Sequence, residues 1–313
     1  MKDTVLVIGY GSIGKRHTEV LKSLNYDVLI VSRRNFEEKN FYKTTAEALQ
    51  SNNVKYIVIA NETSQHQFTL DELNKLGYKG VILIEKPLTV NENIKLSNKN
   101  NIFVGYNLRF HPIIKELKAI LREEKVLSVN CYVGQYLPTW RLNTDYRKCY
   151  SASSRMGGGV LKDLSHELDY LSYLFGDWEK LVSLGGKISD LEIDSNDEIS
   201  VLFTTNRVSS INLELNYLDH IIQRFIIINT NTKTIRADLI KNTLQINNDI
   251  KFFDVERNYT YSQQHLAILE DESIGKPCTL NEGYNCDVLI QAIEQSLKES
   301  KWIYNEKNLY DMC

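Results

Sequence analysis

Hydrophobic and polar positions along the chain follow two successive rhythms. Up to about residue 120, short apolar runs alternate with stretches in which apolar residues recur every three or four positions, the signature of strands alternating with amphipathic helices. The first apolar run covers residues 5–8, and the spacing predicts a helix over 13–24, a strand over 27–31, a short helix over 44–51 and a strand over 55–60. A helix over 64–76, closed by Gly77, leads to a strand over 81–84, and a helix near 91–98 leads to a strand over 102–105. Strands connected in this way form a parallel sheet covered on both faces. Beyond residue 120, long strand-like stretches follow one another at 126–136, 180–189, 197–206, 208–217 and 223–240, with shorter ones at 242–247 and 251–255. Turn signals at 205–207 and 230–232 imply that these strands pair antiparallel. One helix interrupts them at 158–175, and two more close the chain near 261–273 and 281–298. The expected fold class is α/β, with a dinucleotide-binding domain over 1–120 and an α+β domain over 121–313 built on a large, open, mainly antiparallel sheet.

The chain has 313 residues, enough for about two domains with cores of their own. A net charge of −3 offers no basic field for nucleic acid or an anionic membrane. Five scattered cysteines without a C-x-x-C pair read as reduced thiols, with neither a disulfide frame nor a metal site. No apolar run reaches membrane-spanning length, and the first strand begins too early to leave room for a signal peptide. The expectation is a cytoplasmic protein.

Candidate chemistry starts at the end of the first strand, where Gly9-Tyr10-Gly11-Ser12-Ile13-Gly14 forms a G-x-G-x-x-G pattern directly before a helix. Gly9 suits a tight turn, Gly11 lets a pyrophosphate approach the backbone, and Gly14 lets the helix pack closely on the strand. The helix N-terminus presents free N–H groups and partial positive charge to phosphates. The second strand ends in Ser32-Arg33-Arg34. A carboxylate there would accept the ribose hydroxyls of NAD; a small hydroxyl followed by two guanidiniums suits the 2′-phosphate of NADP. The expected cofactor is therefore NADP in preference to NAD.

Glu85-Lys86-Pro87 ends the fourth strand, on the carboxyl edge where open parallel sheets bind ligands. Pro87 biases Lys86 towards extended backbone, and its ammonium could stabilise an alkoxide as hydride leaves carbon. In the helix over 158–175, Leu161, Leu164, Leu168, Leu171 and Phe175 mark a buried stripe. Asp163, His166, Glu167 and Tyr170 fall on another face, and Asp163 is spaced to orient His166 as a general base. Gly157-Gly158-Gly159, just ahead, allows close approach of a backbone or a ligand. A polar loop of some twenty residues carries Trp140, Arg141 and Tyr146; it is expected to act as a lid, Trp140 stacking on a sugar or nicotinamide face and Arg141 binding a phosphate or carboxylate.

Taken together, the glycine turn, Ala60-Asn61-Glu62-Thr63 with His66, Glu85-Lys86-Pro87, the 105–110 segment and the Gly-Gly-Gly…Asp…His helix resemble the Gfo/Idh/MocA oxidoreductases, relatives of glucose–fructose oxidoreductase and inositol dehydrogenase. The resemblance runs through nearly the whole chain. It implies a Rossmann domain, an open sheet through which subunits form dimers or tetramers, and NAD(P)-dependent oxidation of a secondary alcohol on a sugar, polyol or nucleotide sugar. It implies Lys86 and His166 as catalytic groups supported by Asp163. Asn61, Thr63, His66 and Glu85 join Gly9, Gly11, Ser12, Ile13, Gly14, Ser32, Arg33, Arg34 and Lys86 as cofactor contacts. Tyr106, Arg109, Trp140, Arg141, Tyr146 and Tyr170 are the expected substrate contacts. One departure stands out: many relatives have four residues from this Asp to the His, whereas here the step is three. Two other activities share this fold, a non-catalytic regulator that senses the dinucleotide and a glycosidase that uses NAD for a transient oxidation.

Overall fold

The computed structural model describes residues 3–34, 40–89, 101–141 and 144–305. The helix expected near 91–98 lies outside them. The chain divides into two compact units: Met1–Phe110 with Glu256–Asp287, and His111–Val255 with Val288–Cys313. A single boundary at residue 120 therefore gives way to three crossings. Residues 256–287 return to the first unit because Cys278–Thr279 (β15) pairs with the sheet edge there, Cys278 opposite Val104.

The first unit is built on a seven-stranded sheet among the described residues, in the order β15-β6-β5-β4-β1-β2-β3. Its strands are Thr4–Ile8 (β1), Asp27–Val31 (β2), Phe41–Tyr42 (β3), Val54–Ile59 (β4), Val81–Ile84 (β5) and Ile102–Val104 (β6), with β15 antiparallel to β6 and every other pair parallel. Both faces are covered, as an all-parallel core requires. Along β1, Leu6 and Ile8 join one apolar cluster and Val5 and Val7 the other. The covering helices are Ser12–Ser23 (α1), Thr45–Ser51 (α2), His66–Lys75 (α3) and Tyr259–Leu269 (α8). Thr44 caps α2 in a reciprocal capping box with Glu47, the local sequence signal that starts this helix.

The second unit carries, among the described residues, a nine-stranded sheet in the order β14-β13-β12-β11-β7-β10-β9-β8-β16. These are Val126–Gly134 (β7), Trp178–Gly186 (β8), Glu198–Thr205 (β9), Ile211–Asn216 (β10), Gln223–Thr230 (β11), Thr234–Asp238 (β12), Thr243–Ile246 (β13), Asp249–Phe252 (β14) and Ile303–Tyr304 (β16). Antiparallel pairing dominates, and among the described residues only β7 with β10 runs parallel. The long stretch 223–240 is two strands, because Thr230 accepts the N–H groups of Thr232 and Lys233 and turns the chain. Ile199, Val201 and Phe203 of β9 and Ile211, Leu213 and Leu215 of β10 alternate inward, forming the buried face. The described helices of this unit are Pro112–Ile120 (α4), Leu137–Trp140 (α5), Val160–Asp163 (α6) and His166–Phe175 (α7), and the division between units falls within Leu280–Glu299 (α9).

His111 caps α4: its Nδ1 accepts the Ile113 N–H at 3.3 Å, so Nε2 carries the proton and donates to Asn242 Oδ1 at 3.2 Å. Burial lowers its pKa from the usual histidine range to about 4. Between that value and about 6.5 the unfolded chain binds the extra proton, so stability falls as pH drops through this window. The expected contribution is a loss of about 2 kcal/mol between pH 7 and pH 5. His111→Asn, which keeps a capping acceptor, should flatten the dependence by that amount in urea titrations; parallel pH curves for variant and wild type would refute it.

Candidate active site

At the glycine turn, local backbone and packing agree. Gly9 sits at φ +99°, and a methyl group there would approach the Ala60 carbonyl oxygen to 2.6 Å. A methyl on Gly14 would overlap the Gly9 carbonyl, so α1 can lie this close only with glycine at that position. Gly11 is different: its side-chain direction is open, and as N-cap of α1 it brings no side-chain hydrogen bond to the helix N-terminus. Ser12 begins the helix in an exposed position, and Ile13 packs against the apolar cluster below. The turn thus offers open backbone with a positive helix end, a cradle that fits a pyrophosphate. Ser32 follows β2 and is buried, its hydroxyl accepting the Arg34 N–H at 3.2 Å, while Arg33 and Arg34 are exposed.

Next to this turn, β4 and β5 end side by side. Asn61 donates through Nδ2 to Thr69 at 2.8 Å, and its Oδ1 is buried without a hydrogen-bond partner among the described residues. Thr63 opens a 3-10 turn, Thr63–Gln65, that feeds into α3. His66 donates from Nδ1 to the Leu88 carbonyl at 3.3 Å, and its Nε2 is buried near the backbone of Asn61 and Pro87. Burial holds its pKa below the usual range. Buried polar atoms are nearly always paired, and Asn61 Oδ1, without a partner among the described residues, is consistent with a polar ligand at the sheet's carboxyl edge. Lys86 is half-buried, and its backbone N–H donates to Glu85 Oε2 at 3.2 Å.

Two expected substrate contacts of this unit take other roles. Tyr106 belongs to the apolar core. Arg109 is 3% exposed and ion-paired with Glu282 at 3.1 Å, a partner 173 residues away in sequence (282 − 109) that local pattern cannot reveal. Its guanidinium is used inside the fold, because a buried charge is tolerable only with a counter-charge.

In the second unit the expected continuous helix over 158–175 breaks. Residue Leu164 leaves helical geometry (φ −100°, ψ 28°), so α6 ends at Asp163 and α7 starts at His166. The Asp163 carboxylate accepts hydrogen bonds from Tyr150 and Tyr217, the latter at 2.6 Å. Burial, and then the Asp163 charge, push both phenols above the ordinary tyrosine range, so both stay protonated donors. Neither tyrosine is singled out by the sequence; the only available signal is aromatic residues in the loop expected to act as a lid and at the end of β10. Trp140 stacks edge-on against Tyr217 at 5.5 Å, and the Arg141 guanidinium lies 5.7 Å from the Tyr150 ring. These side chains gather around Asp163 within one unit, while His166 is half-buried. Tyr146 accepts the Glu192 N–H at 3.3 Å. The polar loop carrying Tyr146 contains a series of short turns, at Tyr146–Lys148, Tyr150–Ala152 and Ser154–Met156. Gly158 lets the Tyr150–Ser151 backbone pass in contact, so what the glycines admit is another backbone.

Tyr170, expected to touch substrate, is fully buried. Its hydroxyl donates to Glu167 Oε1 at 3.0 Å and lies 3.2 Å from Cys131 Sγ. Glu167, also without exposure, pairs with Arg224 Nε at 2.9 Å. Burial works against the guanidinium charge, but the Glu167 carboxylate, joined by Tyr170 and Cys131, outweighs it and raises the Arg224 pKa. Arg224→Met should leave Glu167 buried and uncompensated, costing about 3–5 kcal/mol in denaturant titrations. Adding Glu167→Gln should recover most of that loss; a double variant as unstable as the single one would contradict it.

No protein-family model and no curated protein matches this chain in sequence. Solved structures match along almost all of it. A levoglucosan dehydrogenase solved with NADH is 15% identical, with a TM-score of 0.82 and 97% of this chain and 99% of that one covered. An oxidoreductase from Thermotoga maritima is 14% identical with a TM-score of 0.79, covering 97% and 98% of the two chains. A dehydrogenase from Bordetella pertussis, solved with NADH and UDP-GlcNAcA, is 16% identical with a TM-score of 0.74, covering 97% and 99%. The chain therefore has the fold of these dehydrogenases, a parallel α/β dinucleotide-type domain joined to a large, mainly antiparallel sheet.

Proposed function

We propose that the protein is an NAD(P)-dependent oxidoreductase that transfers hydride between nicotinamide and a secondary alcohol or ketone of a sugar, polyol or sugar derivative, nucleotide sugars included. The observation that carries this reading is the glycine turn: an open Gly11 backbone at the uncapped, positive end of α1, directly after β1, an interior strand of the sheet. The fold likeness to dehydrogenases solved with NADH supports it.

Gly9 to Gly14 would hold the pyrophosphate, with Asn61, Thr63, His66 and Glu85 completing the cofactor contacts. Ser32, Arg33 and Arg34 would take a 2′-phosphate, which favours NADP: the position where a carboxylate would repel it holds a hydroxyl. When bound, the nicotinamide supplies the hydride acceptor or donor. Lys86 donates a hydrogen bond to the reacting oxygen and stabilises the negative charge that develops on it. His166 takes the proton from the substrate hydroxyl, or returns it to the ketone. Asp163, three residues ahead, supports the imidazolium form and is itself held by two phenols. Trp140, Arg141 and Tyr146 would contact the distal part of the substrate. The outward face of the second sheet carries exposed Leu184 and Leu202, a surface for self-association into a dimer or tetramer. Light scattering should report an oligomer that Leu202→Glu weakens; a wild-type monomer at all concentrations would refute the self-association.

The test follows nicotinamide absorbance with NADP and NAD against a panel of free sugars, polyols, sugar acids and nucleotide sugars. Lys86→Ala and His166→Ala should each lower kcat by at least about 10²-fold while the dinucleotide dissociation constant stays within severalfold. Replacing Arg33 and Arg34 by Ala should weaken NADP more than NAD. Full activity in Lys86→Ala would remove the mechanism, and dinucleotide binding without turnover on any panel member would point to a sensing role instead.

A further inference from the structure

Four buried polar side chains of the first unit form a line that ends at the Lys86 motif. Glu85 follows β5, His17 lies on α1, His265 on α8 and Tyr56 on β4. Glu85 Oε1 is 2.8 Å from His17 Nε2, His17 Nδ1 is 2.9 Å from His265 Nε2, and His265 Nδ1 is 3.0 Å from the Tyr56 hydroxyl. His17, His265 and Tyr56 have no solvent exposure.

Each of these three contacts needs one proton and one lone pair. If the Tyr56 phenol donates to His265 Nδ1, the remaining assignments follow without choice. His265 must then carry its proton on Nε2 and donate it to His17 Nδ1. His17 in turn must be protonated on Nε2, and it donates to Glu85, which is left as a carboxylate. Any other assignment makes His265 the donor to Tyr56 and strands the phenolic proton, for which no other acceptor is found among the described residues. Leaving a buried donor unpaired costs about 1–3 kcal/mol, which selects the first assignment. Burial, joined by the neighbouring His17, keeps the His265 pKa well below the usual range, and burial raises that of Tyr56, in agreement with a neutral ring and a protonated phenol.

At the far end, Glu85 Oε2 accepts the Lys86 backbone N–H at 3.2 Å. The carboxylate lies against the backbone of Gly105, where a methyl group would come within 2.6 Å of Oε1. We propose that Tyr56, His265 and His17 form a one-way hydrogen-bond chain that holds Glu85 as an oriented carboxylate and thereby positions the backbone of Lys86. Tyr56, His265 and His17 are positioning residues in this scheme. Their functional effect rests on the role proposed for Lys86, whereas the direction of the chain does not.

Side-chain ¹H–¹⁵N correlation spectra of protein labelled with ¹⁵N-histidine test the direction without any substrate. At pH 7 both His17 and His265 should be neutral Nε2–H tautomers. An imidazolium, or an Nδ1–H tautomer at either ring, overturns the proposal. Tyr56→Phe removes the first donor and should mix the tautomers of both rings. With the best substrate of the panel it should lower kcat at least fivefold while the dinucleotide dissociation constant stays within twofold. Mixed tautomers with unchanged kcat would overturn the positioning role. Lys86→Ala, assayed in parallel, separates the two failures. If it is inactive and the rings show other tautomers, the chain alone is wrong. If it is fully active, the role of Lys86 is wrong and the positioning role falls with it.

Discussion

The first unit depends on a contact between two glycines. Gly14, at the start of α1, lies so close to the Gly9 carbonyl that no side chain fits between them. This brings the helix down onto β1 and covers that face of the parallel sheet. The same approach leaves the helix N-terminus open at Gly11. Packing and ligand chemistry therefore have one cause: the residue type that permits the close helix also exposes the backbone that suits a pyrophosphate.

Buried charge is the second theme, and the two units treat it in the same way. Arg109 with Glu282 and Arg224 with Glu167 are ion pairs in which one or both side chains lie out of solvent. The Glu85 carboxylate is matched by donors: an imidazole on one oxygen and a backbone N–H on the other. Asp163 takes two phenols. In each case the group is held by partners that fix its direction. Stabilising such groups with aimed hydrogen bonds also restricts their motion, so position and charge state are set together.

Much of the scaffold was legible from local pattern. The strands at Asp27–Val31 and Val81–Ile84 appear with the predicted bounds, because a run of consecutive apolar residues between turn signals has few alternatives. The leucine stripe of 161–175 is buried as its spacing requires. The helix carrying it is broken at Leu164, where the periodicity of the apolar positions continues undisturbed across the break. Hydrophobic period reports which side faces the core; it is insensitive to one residue that leaves helical backbone geometry while its side chain stays buried.

Sequence alone determined the alternation of strand and helix in the first part of the chain, the glycine turn and the chemical types available at strand ends, since each of these depends on residues within a few positions of one another. Tertiary structure decided which polar residues are used inside the fold. Arg109 and Tyr170 carry the groups a substrate site would want, yet Glu282 and the Glu167–Arg224 pair claim them. His17 meets partners 68 and 248 residues away, and Tyr217 reaches Asp163 across 54. The physical reason is that a polar side chain taken out of water must find a partner wherever packing brings one, and that partner is chosen by three-dimensional proximity, on which sequence spacing is silent.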